Sequence, residues 1–264
     1  MSIFHKATMI TTRGIFVATP AYGASCFMPY VSGLLSLQRV CLEAGIAFEF
    51  FYVSGTALLH EQRNVLIQRF LGESMLSHLL FVDADVGFEG RDVLRMFELR
   101  AEVAIGPYPA KQINWEAVVE TARRHSEMSA QQVAQAAADY RHTVYAIGEG
   151  NLSQGKQPVE VAAGGAGMML IERAVFGQLA SAYPDKRVEI PSNYRHLLPH
   201  STHLQEHFEF LHVDDGRLLS EDLSFCWKWR DLGGVIYACP WFRTTHTGTY
   251  SFDGNLPALL GVVA

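Results

Sequence analysis

The sequence predicts an α/β fold in which one open sheet is flanked by helices. Short apolar runs of strand length alternate with longer segments whose apolar residues recur at helical spacing. Strands that alternate with helices favour a largely parallel sheet, with a ligand crevice at the carboxyl ends of the strands. The 264 residues, 49% of them apolar, suffice for one buried core, and we expect a single domain over residues 1–264.

The first half of the chain shows the clearest alternation. Gly14–Thr19 is an apolar run followed by a Pro-Ala-Tyr-Gly turn, as in a buried strand that leads into a loop. A helix predicted at Tyr30–Ala44 stops at Gly45, a residue suited to the position just past a helix end. The further elements of this half are a strand at Ala47–Val53, a helix at about Glu61–Glu73 and a third strand at Leu79–Val82. Residues that follow the third strand should therefore lie in the crevice.

The second half alternates less regularly. No internal repeat and no linker rich in Pro, Gly or Ser marks a domain boundary. The predicted elements are a helix near Arg91–Leu99, a strand at Ala101–Gly106, one or two surface helices at Trp115–Tyr140, strands at Val159–Ala163 and Gly167–Ile171, a helix at Glu172–Ala182, a helix from near Ser220 that Gly233-Gly234 closes, and a strand at Val235–Cys239.

Bulk properties narrow the class of partner. A net charge of -6 supplies no basic field for a polyanion, which argues against a nucleic-acid partner. The four cysteines lack CxxC spacing and are expected to be reduced, mostly buried thiols: Cys26, Cys41, Cys226 and Cys239. The sequence has no secretory signal and no apolar run long enough for a transmembrane segment, so we expect a cytoplasmic protein.

The tripeptide Asp83-Ala84-Asp85 is the most informative motif. It ends an apolar strand, whose two-residue period would place both carboxylates on one side. Two carboxylates in one small space repel each other unless a cation neutralises them, and Mg²⁺ or Mn²⁺ carrying diphosphate oxygens is the expected companion. The alternative is a pair of solvated aspartates at the start of a loop.

Six segments in order resemble the GT-A glycosyltransferases. The likeness is to the bacterial and phage proteins of the family-2-like group and, more loosely, to the fungal Anp1-type mannosyltransferases. It implies a Rossmann-like open mixed sheet flanked by helices, and metal-dependent transfer of a hexosyl-type sugar from a UDP- or GDP-sugar to a hydroxyl acceptor of unknown identity. The matching segments are FVATPAYG, EQRNVLIQRFL, HLLFVDADVGF, GGAGMMLIERAVF, LSEDLSFCWKWRDLGG and HTGTYSF, within residues 14–252.

The resemblance implies a metal site at three residues. Asp85 matches the aspartate that usually binds the metal directly, and Asp83 the one that reaches the ribose or the metal through water. His246 matches a histidine that completes the metal shell in many members. An imidazole ligand suits Mn²⁺ better than Mg²⁺, so manganese is expected. A surface histidine is the alternative reading of His246.

Further residues are implied in binding the nucleotide sugar. Thr19, Pro20, Ala21 and Tyr22 match the turn that wraps the nucleotide base, on which Tyr22 could stack. Arg63, with Asn64 beside it, matches a basic residue that commonly faces the nucleotide or its phosphates, although a solvated helix face explains the pair equally well.

Two loops complete the expected donor site. Gly164 and Gly165 match a small-residue loop that lines the donor sugar and acceptor, while a bulge between strands is the alternative. Lys111 follows the strand at Ala101–Gly106, where a cation could meet the diphosphate.

The carboxylates of Glu221 and Asp222 are the catalytic candidates. They match an ED motif in which a carboxylate accepts the proton of the acceptor hydroxyl in inverting members. We expect Asp222 to be the base and Glu221 an acceptor-binding neighbour. The alternative is structural, because Ser220 suits an N-cap and acidic residues in a first turn are favoured by the helix dipole. The ED motif favours inversion and the Anp1-like features retention.

A histidine-rich stretch supports a rival hypothesis. HLQEH, from His203 to His207, has the H-x-x-E-H pattern of one class of zinc peptidases, whose histidines would share a helix face around Glu206. With His196 and His200 it could form a zinc-binding hydrolase site or a structural zinc site, or simply lie in a mobile acceptor-side loop. A catalytically silent nucleotide-sugar binding protein is a third possibility.

Overall fold

A central eight-stranded sheet with helices on both faces organises the chain. The computed structural model describes residues 11–140, 143–147, 157–214 and 216–249. The α-helices in these ranges are α1 Met28–Glu43, α2 Leu59–Glu73, α3 Gly90–Glu98, α4 Trp115–Arg124, α5 Ala130–Ala136, α6 Arg173–Ala182 and α7 Glu221–Asp231. The strands are β1 Thr12–Pro20, β2 Ala47–Val53, β3 Leu76–Val82, β4 Val86–Gly87, β5 Val103–Ile105, β6 Val144–Ala146, β7 Val159–Gly164, β8 Met168–Glu172, β9 Arg187–Glu189, β10 His203–Gln205, β11 Leu211–His212, β12 Leu218–Leu219, β13 Ile236–Ala238 and β14 Thr245–His246.

The main sheet is mixed. Its strand order is β2-β1-β3-β8-β5-β13-β7-β6. β1 pairs parallel with β2 and β3, and β13 pairs parallel with β5. The other four pairings are antiparallel. The open mixed sheet is therefore confirmed, whereas the expectation of a largely parallel one is wrong. Two of the antiparallel pairings are made by β8, which enters from the turn at Gly165–Gly167 beside the end of β3 and runs back between β3 and β5. The other two are made by β7, which pairs with β13 and β6.

Alternating residues of the inner strands divide the core into two layers. On one face Phe16 and Phe81 pack with buried residues of α2, α6 and α7. On the other face Val17 and Leu80 pack with α1 and α3. This two-residue alternation is what a sheet buried on both faces requires. A Val or Phe side chain buried in this way contributes about 1.5–3 kcal/mol.

Most predicted elements are present with small shifts at their ends. β2 has the bounds expected from sequence, and α1 ends just before Gly45, which adopts the left-handed conformation with φ 65°. The alanine-rich segment forms two helices, α4 and α5. Three cysteines are buried, as predicted, while Cys26 is exposed. Within the described ranges, no helix has the length and apolarity that a membrane crossing requires.

A small two-stranded ladder brings the end of the described chain to the sheet. β14 pairs antiparallel with β4, which aligns His246 with Val86. The backbone N–H of Thr247 also donates to the carbonyl of Asp85 at 2.9 Å. His246 is thereby placed beside the DxD motif, 161 positions away in sequence from Asp85.

Candidate functional site

A cleft of about 480 Å³ lies at the carboxyl ends of β1 and β3. Seven residues that sequence analysis assigned to the donor or metal site line it: Pro20, Tyr22, Asp83, Ala84, Asp85, Lys111 and His246. Asp83 to Val86 form a tight turn, closed by a 3.0 Å hydrogen bond from the Val86 N–H to the Asp83 carbonyl. The two aspartates share the cleft because of this turn, and not through the strand alternation that the sequence suggested.

Arg63 joins one aspartate of the cleft to the ED motif. Its side chain is 1% exposed, with Nη2 3.2 Å from Oδ1 of Asp83 and Nε 3.6 Å from Oδ1 of Asp222. Nη1 donates to the carbonyl of Ala166 at 3.4 Å. Burial alone lowers the pKa of Arg63, but the two carboxylates reverse this and raise it above its ordinary value. The solvated-face reading of Arg63 is therefore wrong.

Asn64, the next residue of α2, is also buried. Its side-chain amide donates to the Phe208 carbonyl at 2.8 Å and accepts from the Phe208 N–H at 2.9 Å. This pair of bonds fixes the segment before β11 against α2. The solvated-face reading fails here as well, since Asn64 has a structural partner.

Asp222 stands in the first turn of α7 and is largely buried. Burial raises the pKa of Asp222 to about 6; Arg63 opposes this, and the neighbouring Glu221 and Asp83 carboxylates add to it. Ser220 occupies the predicted N-cap position, but its side chain makes no capping hydrogen bond. A carboxyl group with a pKa near neutrality is suited to accept a proton.

The second aspartate of the motif has different partners. Oδ2 of Asp85 contacts Nζ of Lys111, and Oδ1 lies 3.3 Å from Nε2 of His246. Burial alone raises the pKa of Asp85, but its contacts with His246 and Lys111 lower this pKa below its ordinary value. The ammonium group of Lys111 therefore contacts the DxD motif, in the part of the cleft where the diphosphate was expected.

The hydrogen bonding of the two ring nitrogens of His246 bears on whether the site suits a cation. Nδ1 lies 2.8 Å from the carbonyl of Pro109, an acceptor, so Nδ1 carries the proton. In a neutral ring Nε2 then presents a lone pair to the carboxylate of Asp85. A second proton or a cation between these atoms would satisfy both, and imidazole with carboxylate is a usual ligand pair for a divalent metal.

The three expected metal ligands do not converge into one preformed set. Asp83 is engaged by Arg63, and only Asp85 and His246 face each other. Over the described ranges, no group of three or more His, Cys, Asp or Glu side chains is arranged to hold a metal. The residues thus fit a metal held by the Asp85–His246 pair with ligand oxygens, rather than by a complete protein shell.

Tyr108 is a central residue of the site that sequence analysis missed. Its hydroxyl accepts a hydrogen bond from the Gly167 N–H at 3.2 Å, and its ring meets His246 edge-on at 5.2 Å. Burial, with Asp83 and Asp222 nearby, raises the pKa of Tyr108 well above its ordinary value. The only signal in sequence is its place two residues beyond a predicted strand end, which does not distinguish it from an ordinary loop tyrosine.

The glycines of residues 164–167 have different surroundings: one packs in the core, and two lie at the site. Gly165 and Gly167 surround the Tyr108 hydroxyl, and a Cβ on Gly165 would lie 3.7 Å from Oδ2 of Asp222. Gly164 instead ends β7, where a Cβ would lie 2.1 Å from Ile105. Gly164 is therefore a packing residue, contrary to its expected place beside the donor sugar.

The expected base-binding turn is exposed only in part. Tyr22 is 73% exposed and lines the cleft with Pro20. Thr19 is buried, with its hydroxyl 2.7 Å from that of Tyr30, and Ala21 is buried as well. Thr19 and Ala21 can therefore contact a ligand only through their backbone atoms, or affect one through the neighbouring residues that they support.

The HLQEH segment does not form the helix that the zinc-peptidase hypothesis requires. His203 lies in strand β10, paired with β9, and His207 is buried against Phe176 with ring centroids 5.2 Å apart. Burial lowers the pKa of His207 to about 3. The shared helix face required by the H-x-x-E-H pattern is absent here, so this basis for a zinc-binding hydrolase is wrong.

Comparison with known proteins gives only distant likenesses. No protein-family model and no curated protein matches the chain. A197 from STIV is 17% identical over 89% of this chain and 86% of its own, with a TM-score of 0.47. The catalytic domain of Drosophila beta1,4galactosyltransferase 7, solved with xylobiose, is 10% identical over 89% and 71%, with a TM-score of 0.43. The inositol-1-phosphate CTP transferase from T. maritima is 9% identical over 90% of both chains, with a TM-score of 0.41. Similarity this distant carries no functional information.

Proposed function

We propose that the protein is a metal-dependent glycosyltransferase of the GT-A type. It would transfer a hexosyl-type sugar from a UDP- or GDP-sugar to a hydroxyl group of an acceptor. The observation that carries the proposal is the buried Arg63, which links Asp83 of the acidic cleft to Asp222 of the ED motif. These contacting charged side chains connect the site for an anionic donor with the site for a general base.

The cleft has the groups that a nucleotide diphosphate requires. Tyr22 and Pro20 offer an aromatic and an apolar surface to the base at one end. At the other end Lys111 offers a flexible ammonium group to the diphosphate. Its present contact with Asp85 shows that the side chain reaches the acidic motif.

Asp85 and His246 would hold the divalent cation, with Mn²⁺ favoured by the imidazole ligand. When bound, such a cation stabilises negative charge on the departing diphosphate. The hydrogen bond from Nδ1 of His246 to Pro109 would fix the ring with Nε2 toward the metal. Asp83, engaged by Arg63, would act on the ribose or through water rather than as a direct ligand.

Asp222 would act as the general base. The acceptor oxygen forms a new bond to the anomeric carbon, the bond from that carbon to the diphosphate breaks, and the hydroxyl proton passes to a carboxylate oxygen of Asp222. The nucleoside diphosphate leaves as an anion. Attack opposite the leaving group inverts the anomeric centre, so we propose inversion.

The test is hydrolysis and transfer with UDP-, GDP- and CMP-sugars, with and without Mn²⁺, in the wild type and in Asp85→Ala. We expect Mn²⁺-dependent turnover of one UDP- or GDP-sugar, lost in Asp85→Ala, and an inverted anomer by NMR. Binding of a nucleotide sugar without any turnover would identify a silent binding protein. Full activity with chelator present would refute the metal-dependent mechanism.

A further inference from the structure

Phe208 lies between the three elements that carry the charged side chains of the site. Arg63 is on α2, Asp222 is on α7, and Asp83 directly follows β3. Phe208 is 0% exposed and belongs to segment 206–209, which lies between β10 and β11. One buried ring therefore stands where α2, β3 and α7 meet.

The ring of Phe208 contacts one aromatic residue from β3 and one from α7. It stacks on Phe225 with ring centroids 4.7 Å apart and 4° between the ring planes, and it meets Phe81 edge-on at 5.4 Å. Phe225 stands three positions after Asp222, on the same face of α7. Phe81 stands two positions before Asp83. In a close-packed core, a displacement of the ring would therefore move the backbone near both carboxylates.

The guanidinium of Arg63 lies over the same pair of rings. Its Cζ atom is 5.3 Å from the ring centroid of Phe81 and 5.9 Å from that of Phe208. These separations are within the range of a cation–π contact, which is stronger for a desolvated cation such as this one. The two rings thus form one side of the space in which the guanidinium meets Asp83 and Asp222.

Two sets of polar contacts hold Phe208 in this position. The side-chain amide of Asn64, on α2, forms both hydrogen bonds to the Phe208 backbone, at 2.8 and 2.9 Å. Nζ of Lys228, on α7, donates to Oε1 of Glu209 at 2.8 Å and to the carbonyl of Glu206 at 3.1 Å. Lys228 is 2% exposed, and burying an ammonium group is costly unless the group is paired. Segment 206–209 is therefore fastened to both helices of the charged site.

We propose that Phe208 is a positioning residue that sets the geometry of Arg63 between Asp83 and Asp222. The ring takes no part in proton transfer. It limits where the guanidinium lies, and the guanidinium in turn orients the carboxylate of the base. This inference rests on the proposed function, because the base that it concerns is the base of that reaction.

The test compares Phe208→Leu with Phe97→Leu. Phe97 is a matched control, because it is 4% exposed and its ring centroid lies 5.0 Å from Cζ of another arginine, Arg13, outside the site. Exchange of the Arg63 Nε–H with solvent, followed by ¹H–¹⁵N NMR, measures how well the guanidinium is held without any substrate. We expect this exchange to be at least about tenfold faster in Phe208→Leu than in the wild type and in Phe97→Leu. Urea denaturation checks that the two variants lose similar stability.

Turnover gives a second measurement. Phe208→Leu should lower kcat about 10- to 100-fold with little change in KM for the donor, since the base is displaced while the donor cleft is intact. In an Asp222→Asn background the same substitution should have almost no further effect, because residues that act as a unit are not additive. Phe97→Leu should leave kcat near the wild-type value.

Equal exchange of the Arg63 Nε–H in the wild type and in Phe208→Leu would overturn the inference, as would equal acceleration in both leucine variants. If Phe208→Leu does not fold, Lys228→Met takes its place, because it leaves Glu209 paired with Lys186 at 2.8 Å. Lys228→Met should accelerate the same exchange, and an unchanged rate there would refute the inference. An absence of turnover in the wild type would refute the proposed function alone, since the exchange measurement needs no substrate.

Discussion

The Nε atom of Arg63 lies 3.6 Å from Oδ1 of Asp222, and within the described residues neither atom has a hydrogen-bond partner. The pair is an ion pair without a hydrogen bond, in a site where Arg63 is 1% exposed. Burying a guanidinium and a carboxylate costs free energy, and an ion pair that lacks a hydrogen bond offsets less of that cost than a hydrogen-bonded pair does.

Replacing Arg63 with methionine should destabilise the protein by about 3–5 kcal/mol, the usual cost of removing one partner of a buried ion pair. Two carboxylates, Asp83 and Asp222, would then face each other without the cation between them. Urea denaturation at neutral pH measures the effect. Arg39→Met, on the exposed face of α1, is the matched control and should change stability by less than about 0.5 kcal/mol. Equal stability of both variants would contradict a buried ion pair at Arg63.

Replacing Asp222 with asparagine should lower the transfer rate by about 10²–10⁴-fold, the usual contribution of a general base. The base acts in its ionised form, so kcat/KM of the wild type should rise with pH through about 6 and then level off.

The stability of the fold should change with pH in the opposite direction. Because the folded-state pKa of Asp222 is raised, the folded state binds the extra proton, and stability falls as pH rises from about 4 to about 6.

Urea midpoints of the wild type and Asp222→Asn across this range check the linkage. The asparagine variant should lack that fall in stability. An activity profile that is flat through pH 6, with normal rates in Asp222→Asn, would assign the base to another residue.

Gly167→Ala should disturb the site, because its Cβ would lie 2.6 Å from the Tyr108 hydroxyl and 2.8 Å from Oδ2 of Asp83. Both side chains would have to move, at a cost of about 1–3 kcal/mol for an overpacked site, with loss of activity. Gly177→Ala offers the matched control in α6, where an added Cβ meets nothing within 4 Å. That variant should gain about 0.5–1 kcal/mol from the removal of a helix glycine. Thermal unfolding and donor turnover separate the two effects.

His246→Ala should weaken Mn²⁺ binding at least about tenfold, since a nitrogen ligand is lost. Electron paramagnetic resonance of free Mn²⁺ titrated with protein measures the affinity. His203→Ala, in the strand β10 of the histidine-rich stretch, is the control and should bind Mn²⁺ as the wild type does. The reverse pattern, with binding lost in His203→Ala alone, would move the metal to the histidine-rich stretch.

The periodicity of the sequence determined the fold class and most element positions. The apolar runs of β1, β2 and β3 and the helical spacing of α1 and α2 are local properties, and each is visible within one segment. The position of the DxD motif at a strand end was also local, and it placed Asp83 and Asp85 in the cleft. Residues assigned from these local patterns therefore lie where they were expected.

Only the tertiary structure decided how distant segments meet. The antiparallel β8 could not be predicted, because strand direction depends on which neighbour the strand joins. Arg63 is buried between Asp83 and Asp222, and Tyr108 beneath Gly165 and Gly167. Both arrangements arise from contacts between residues that are 20 or more positions apart in sequence. A side chain's exposure and its partners are set by the packing of the whole domain, so no local pattern distinguishes a buried charged residue from a solvated one.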